Sequence, residues 1–202
     1  MKKHKEVGAF LSIISILSTL PAQAVTLGFS PFHQTTNVGN TVSVDLVVSD
    51  LEDDTSPSLG EFDLVVEFDS RVLSFEDVDF GDVLNPTVTL FTFRGDTFIS
   101  PEAVNLFEIS GLTSAELIAN QPSNFTLATF TFDAIGVGTS DLLLSNVLLG
   151  DPAGVELPTT IESGSIEVLG NAPTTVPESS PLTALFFFGM GSFCCFSRRL
   201  NS

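Results

Sequence analysis

The chain has 202 residues, a formal net charge of −18 and a mean hydropathy of +0.37. Lys2, Lys3, Lys5, Arg198 and Arg199 sit at the ends, so only Arg71 and Arg94 offset 23 of the 25 carboxylates (all but Glu6 and Glu178), and residues 25–177 carry −21. That charge repels phosphate backbones and anionic lipid surfaces, which excludes nucleic acid as a partner; both cysteines fall in the tail, which excludes disulfide and thiolate chemistry from the body.

The N-terminus reads MKKHKE, then the apolar run VGAFLSIISILSTL, then Pro21-Ala22-Gln23-Ala24. A basic start, a short apolar stretch and small residues at Ala22 and Ala24 make a secretory signal peptide over residues 1–24, with cleavage after Ala24. The run is shorter than the roughly 20 residues that span a bilayer comfortably.

From residue 25 to 169 the dominant period is two. In TVSVDLVVSD, Val42, Val44, Leu46 and Val48 take one side while Thr41, Ser43 and Asp45 take the other. In GEFDLVVEFD, Phe62, Leu64, Val66 and Phe68 face in while Glu61, Asp63, Glu67 and Asp69 face out. Such alternation marks strands buried on one side. Further strands are predicted at TVTLFTF, AVNLFEI, FTLATFTF, DLLLSNVLL and SGSIEVL. Turns are expected at Gly81-Asp82, Asn85-Pro86, Arg94-Gly95-Asp96, Gly136-Val137-Gly138 and Gly150-Asp151-Pro152. The one predicted helical turn covers residues 113–119, with Ser114 as its cap. Several short strands at this spacing predict an all-β, antiparallel sandwich. The 13 phenylalanines of the body suit its core, because a buried Phe needs no polar partner.

Residues that could carry chemistry are few. His33 is the body's one histidine, in a loop-like Pro-Phe-His-Gln context, and no second His, Lys or Cys could complete a zinc site or supply a nucleophile. Asp63 and Glu67 share the solvated side of a strand, where they stay ionised rather than cleave glycosides. No catalytic residue is expected. Two acidic stretches are oxygen-rich enough to weigh for Ca²⁺: Asp50, Glu52, Asp53 and Asp54 in one predicted loop, and Glu76, Asp77, Asp79 and Asp82 after a strand. Neither has EF-hand spacing, so both are read as solvated loops and no metal or other cofactor is expected. Sugar-binding surfaces favour Trp or Tyr, and the chain has neither, so a platform would fall to Phe91 or Phe93, both expected to pack in the core instead. Asn124-Phe125-Thr126 fits a glycosylation sequon by accident of composition.

The order of these motifs resembles the cohesin domain. VGNTVSVDLVV is similar to that family's opening Gly and alternating valine-rich strand, and LGEFDLVVEFDSRVLSFEDVDFGDVL to its Gly-aromatic strand, Asp turn and hydrophobic pair. LATFTFDAIGVGTSDLLLSNVLLGDPAGVEL and SGSIEVLG are similar to its late strands, Gly-x-Gly-Thr turn, Asp-x-x-Gly loop and closing Gly-x-Ile-x-Val strand. The resemblance covers residues 25–169 and implies a jelly-roll β-sandwich, in a wider group that includes carbohydrate-binding modules.

Residues 170–181, rich in Pro, Thr and Ser, read as a linker. Residues 182–202 hold an apolar run of about 15 residues closed by Arg198-Arg199, a short anchor with a stop-transfer end. Val176-Pro177-Glu178, the apolar helix and the Arg pair together resemble the PEP-CTERM sorting signal of Gram-negative bacteria, with Ser179 where the usual motif has its second proline. The resemblance implies an exosortase-type processing enzyme as a partner, transient anchoring in the inner membrane, and delivery to the cell surface or extracellular polysaccharide. Taken together, the expectation is an exported, non-enzymatic adhesion or scaffold module that meets another surface protein; the alternative is a carbohydrate-binding module working beside polysaccharide degradation.

Overall fold

The computed structural model describes residues 24–51, 57–86 and 93–171. Ala22 and the sorting residues Val176, Pro177, Glu178, Arg198 and Arg199 lie outside the described residues, as do Glu52, Asp53, Asp54 and Phe91. Among the described residues no helix is long and apolar enough to cross a membrane.

Eleven strands and one short helix are described: β1 (Val25–Ser30), β2 (His33–Asn37), β3 (Thr41–Ser49), β4 (Glu61–Glu67), β5 (Leu73–Phe80), β6 (Phe93–Ser100), β7 (Ala103–Ile109), α1 (Ser114–Asn120), β8 (Phe125–Ala134), β9 (Gly138–Gly150), β10 (Thr159–Ile161) and β11 (Gly164–Leu169). They form two sheets, the first in the order β10-β1-β3-β8-β5 and the second in the order β2-β11-β9-β4-β7-β6. The pairings are antiparallel except at one edge of each sheet, where β10 runs parallel to β1 and β2 parallel to β11. The expected sandwich is therefore correct in kind but not purely antiparallel.

Alternation decides which side chains meet between the sheets. Val42, Val44, Leu46 and Val48 of β3 face Phe62, Leu64 and Val66 of β4 across a core that also holds Phe130 and Phe132 of β8 and Val104 and Leu106 of β7. Phe68 meets Phe132 edge-on at 5.1 Å between ring centres, and Phe75 meets the same ring at 6.1 Å. Burying such side chains contributes roughly 1.5–3 kcal/mol each, the main offset to chain entropy in a body without disulfides. The core closes within residues 25–168, so this span folds as a unit. Two glycines allow the sheets their close corners: a Cβ on Gly81 would lie 2.1 Å from the Thr126 carbonyl oxygen, and one on Gly136 equally near that of Arg71.

Several local expectations change. Arg94-Gly95-Asp96 is not a turn but part of β6, which runs on to Ser100. Three residues with no apolar alternation hid a strand whose register is set by its neighbour β7. His33 is not in a loop; it opens β2, a polar strand recognisable only through its pairing with β11. The cap of α1 is Thr113 rather than Ser114: its hydroxyl accepts from Glu116 N–H, and the Glu116 carboxylate accepts from Thr113 N–H at 2.8 Å, a reciprocal capping box.

Candidate binding face

The two sheets present unlike outer surfaces. On the first sheet, hydroxyls and carboxylates of β3 and β8 stand opposite one another and pair directly. Thr41 Oγ1 donates to Asp133 at 2.8 Å, Thr129 Oγ1 to Asp45 at 2.6 Å, and Ser43 meets Thr131 at 3.4 Å. Asp77 and Asp79 continue these rows on β5, opposite Thr131 and Thr129. They lie within the strand, not in a loop after it, and the chain leaves the sheet before Asp82. The second acidic stretch is thus drawn out along an extended strand instead of being gathered in a loop. Asp50 sits in a left-handed conformation (φ 64°), and its N–H donates to Asn124 Oδ1 at 3.4 Å. Among the described residues no group of three or more His, Cys, Asp or Glu is placed to hold a metal ion.

The outer surface of the second sheet is mixed. Across β9, β4, β7 and β6, one row reads Leu148, Asp63, Phe107, Gly95, and the next Ser145, Val65, Asn105, Thr97. Beyond the first row come Ile109 and Phe93, and beyond the second Leu143. Phe93 is 68 % exposed, Ile109 46 %, Leu143 44 % and Leu148 43 %, so large apolar groups meet water on one half of one sheet face. Phe93 therefore corrects the expectation of core packing; it leans on Phe107 at 6.4 Å. Between Phe107, Ile109 and Leu148 lies a concavity of about 220 Å³ whose rim is Glu61 and Asp63.

Leu143 and Leu148 share this face because β9 bulges. Its register against β4 shifts between Asp63 and Val65, and Asn146 takes φ 49°. One extra residue lets Ser145 and Leu148 both point outward, three positions apart, which strict alternation forbids.

The polar groups of this face are held in place. Asn105 Nδ2 donates to Asp63 Oδ1 at 2.6 Å and to the Leu64 carbonyl at 3.0 Å, and Ser145 Oγ donates to Glu67 Oε1 at 2.5 Å. Asp63 and Glu67 do lie outward as expected. Four residues apart on one strand they stand roughly 13 Å from each other, beyond either spacing that glycoside cleavage uses. At the Glu67 end a wider hollow of about 580 Å³ is lined by Glu67, Asp69, Arg71, Glu102, Asp141 and Leu143. The Arg71 guanidinium donates to both Asp69 oxygens, at 2.9 and 2.6 Å, and these bonds with the Arg71 N–H pull the Asp69 carboxyl down to about 2. His33, at the far end of this sheet, has its ring Nδ1 at 3.0 Å from Ser165 Oγ.

Behind the apolar half lies a charge inside the core. Glu108 alternates inward on β7 and is 1 % exposed. It accepts from Asn85 Nδ2 at 2.7 Å, and Arg94 Nη1 stands 3.8 Å away, with the Arg94 guanidinium 5.3 Å from the centre of the Phe80 ring. Burial pushes the Glu108 carboxyl up, opposed by Asn85 and Arg94. Asn85 Oδ1 also accepts from Gly111 N–H at 2.9 Å, so this buried polar group ties the 81–86 crossing to β7. Neither Glu108 nor the half-buried Phe107 and the exposed Ile109, Leu143 and Leu148 were singled out from the sequence. Alternation in AVNLFEI, which places Val104, Leu106 and Glu108 together, was the available signal for the first.

The fold is similar to that of solved cohesin modules. It aligns with the sixth cohesin of Acetivibrio cellulolyticus scaffoldin B, solved in complex with a Cel5 dockerin (TM-score 0.60, 16 % identity, 72 % of this chain and 99 % of that one). It aligns with a cohesin from Clostridium acetobutylicum in solution (0.59, 20 %, 75 % and 95 %) and with a non-cellulosomal cohesin from the archaeon Archaeoglobus fulgidus (0.55, 13 %, 72 % and 91 %). At such identities the likeness is one of fold. No protein-family model matches the sequence, and no curated protein does.

Proposed function

We propose that this chain is an exported, non-catalytic protein-docking module, and that its docking face is the half of the second sheet formed by β9, β4, β7 and β6. The observation that carries the reading is the apolar group of Phe93, Ile109, Leu143 and Leu148 exposed on a body of net charge −21 and rimmed by Glu61, Asp63, Glu67 and Asp141. Charged residues at the rim and large apolar groups at the centre are the composition of a protein interface. The partner that fits is a protein surface with apolar side chains inside a basic border; the complex of the similar Acetivibrio cohesin with a dockerin makes dockerin domains the first probe.

The ends complete the proposal. Cleavage after Ala24 would leave Val25 as N-terminus, and β1 starts at that residue, its nitrogen donating to the Pro158 carbonyl at 2.8 Å. Val176, Pro177, Glu178, Arg198 and Arg199 are proposed as the sorting signal that an exosortase-type enzyme removes, releasing the module from the inner membrane to the surface or the polysaccharide matrix.

The test titrates residues 25–169 with a panel of purified dockerin domains and, in parallel, with a glycan array. Saturable binding to a dockerin, lost in the Ile109→Arg, Leu148→Arg double variant, supports docking. Saturable binding to a sugar with no dockerin bound replaces it with the carbohydrate-binding reading, for which exposed Phe93 would be the stacking surface.

A further inference from the structure

Among the described residues β6 is the edge of the second sheet, and it is unusually apolar for that position. Phe93, Phe98 and Ile99 are all more than half exposed, and its only charges are Arg94 and Asp96. An edge strand offers unpaired N–H and C=O groups to any strand that matches it. Arg94 adds a need of its own. Its Nη1 is buried and has no hydrogen-bond partner; the Glu108 carboxylate lies at 3.8 Å, too far for one.

We propose that β6 pairs antiparallel with β6 of a second copy about Gly95, making a two-fold dimer through this edge. The strand is self-complementary in that register. Arg94 falls opposite Asp96 of the second copy, and Asp96 opposite its Arg94, with Cβ atoms of opposed residues roughly 5 Å apart. Both residues point to the core-facing side, as their pairing with Glu108 and Leu106 shows, so the Arg94 guanidinium, 28 % of whose side chain meets solvent, gains a second carboxylate beside the distant Glu108. On the outer side Phe93 falls opposite Thr97, and the two rings flank the pair of glycines. The Phe107 ring already lies against Gly95, where a Cβ would approach it to 3.2 Å, so the apolar halves of the two docking faces join into one patch across the axis. An isologous contact of this kind closes after two copies and does not propagate.

The extent and salt response follow from the same strand. Its register shifts between Phe98 and Ser100, which limits pairing to about the five residues before the shift. Such a contact is smaller than the interfaces of permanent dimers, so association is weak and concentration-dependent. Each body carries −21, and Glu76, Asp77 and Asp79 of β5 border the same side of the sandwich, with Phe75 stacked on Phe98 at 6.2 Å. Screening that repulsion strengthens the dimer, the reverse of the usual effect of salt on an ion pair.

Sedimentation of residues 25–169 at roughly 0.05 and 0.5 M NaCl reads both properties. The expected result is a monomer–dimer equilibrium that tightens with salt. Asp96→Arg sets like charges opposite each other twice and weakens the dimer at least about tenfold. Glu162→Arg, the same charge change on the exposed link between β10 and β11, does not weaken it. The span contains no cysteine, so the Phe93→Cys, Thr97→Cys double variant yields an oxidised dimer only in this register; within one chain the two positions stand roughly 13 Å apart. A monomer at every salt and concentration overturns the proposal. So does a dimer indifferent to Asp96→Arg and untrapped by the cysteine pair, which would use another surface, and so does dimerisation that weakens with salt.

Discussion

The outer faces of the two sheets come from strands of the same period and carry the same sign of charge, yet only one gathers Phe93, Ile109, Leu143 and Leu148 in the open, and there the proposed docking is placed. On the first sheet each carboxylate of β8 and β3 has its hydroxyl partner: Thr41 serves Asp133 and Thr129 serves Asp45. A partner would have to replace bonds already made, and the rows of β3, β8 and β5 that it would cover are mainly Thr, Ser and Asp. On the second sheet Asp63 and Glu67 are likewise held, by Asn105 and Ser145, but between them Phe107, Ile109, Leu143 and Leu148 meet water. Covering those groups gives roughly 25 cal/mol for each Å² of apolar surface removed from solvent. The difference between a closed surface and a docking surface lies in which residues fill the gaps between fixed acids.

A common core supports both faces, and the largest expected effect removes the comparison altogether. Phe132 is fully buried between the sheets and meets both Phe68 and Phe75. Phe132→Ala is expected to cost about 3–5 kcal/mol and to lower the chemical-denaturation midpoint with both faces lost in one transition. Two separate transitions would mean that the sheets are not one cooperative unit.

A smaller effect falls on the approach to β4 alone. Gln121, buried after α1, accepts from Leu59 N–H at 2.7 Å and donates to the Leu59 carbonyl at 3.0 Å. Gln121→Ala leaves two buried backbone groups unpaired and is expected to cost about 1–3 kcal/mol. Hydrogen exchange should then rise in β4 before it rises in β3, loosening the docking face ahead of the polar one.

These buried polar residues also show where the sequence could be read and where it could not. Alternation identified β3 and β4 and the inward side of each, because every second residue there is apolar. On β9 the strand itself is legible but its inward side is not, because DLLLSNVLL is apolar nearly throughout and a bulge at Asn146, not a pattern, sends Leu148 outward. Alternation failed on β6, where Arg94-Gly95-Asp96 carries the composition of a turn and the strand exists because β7 pairs with it. Phenylalanine content predicted a rich core, but Phe32, Phe93 and Phe98 are exposed; composition supplies hydrophobic side chains without saying which of them a sheet edge leaves uncovered. The acids of β5 were read as a loop because Glu76, Asp77 and Asp79 outnumber the apolar residues that mark a strand.

Two carboxyls at the second sheet, Glu108 and Asp69, respond to pH in opposite directions. The Glu108 carboxyl is raised above the ordinary value of 4.5 by burial, so the folded chain binds this proton more tightly than the unfolded one. Stability from this group therefore rises as pH falls through the raised value toward 4.5. Asp69 has the opposite sign: drawn down to about 2 by Arg71, it contributes stability above the ordinary carboxylate range that is lost as pH falls toward 2. Glu108→Gln keeps an oxygen for Asn85 and should flatten the upper window, while Asp69→Asn flattens the lower one. Thermal unfolding from pH 2 to 8 checks both, and an unchanged upper window in Glu108→Gln would remove the buried charge from the account.

The smallest effect expected is a divalent-ion preference. The acids of both faces are engaged by hydroxyls or amides or spread along strands, so Ca²⁺ and Mg²⁺ at equal ionic strength should raise the melting temperature alike, through screening of the −21 charge. A rise with Ca²⁺ only, abolished by Asp53→Asn or Asp79→Asn, would reveal a site.

The central claim is that docking belongs to the second sheet and not to the first. Calorimetric titration of a bound dockerin-type partner against three proteins tests it: the parent span 25–169, the Ile109→Arg, Leu148→Arg variant, and a Thr129→Arg, Thr131→Arg variant that alters the polar face as heavily. The account predicts that the second protein loses binding by at least about a hundredfold while the third binds like the parent. Loss in the third protein with binding intact in the second would contradict it.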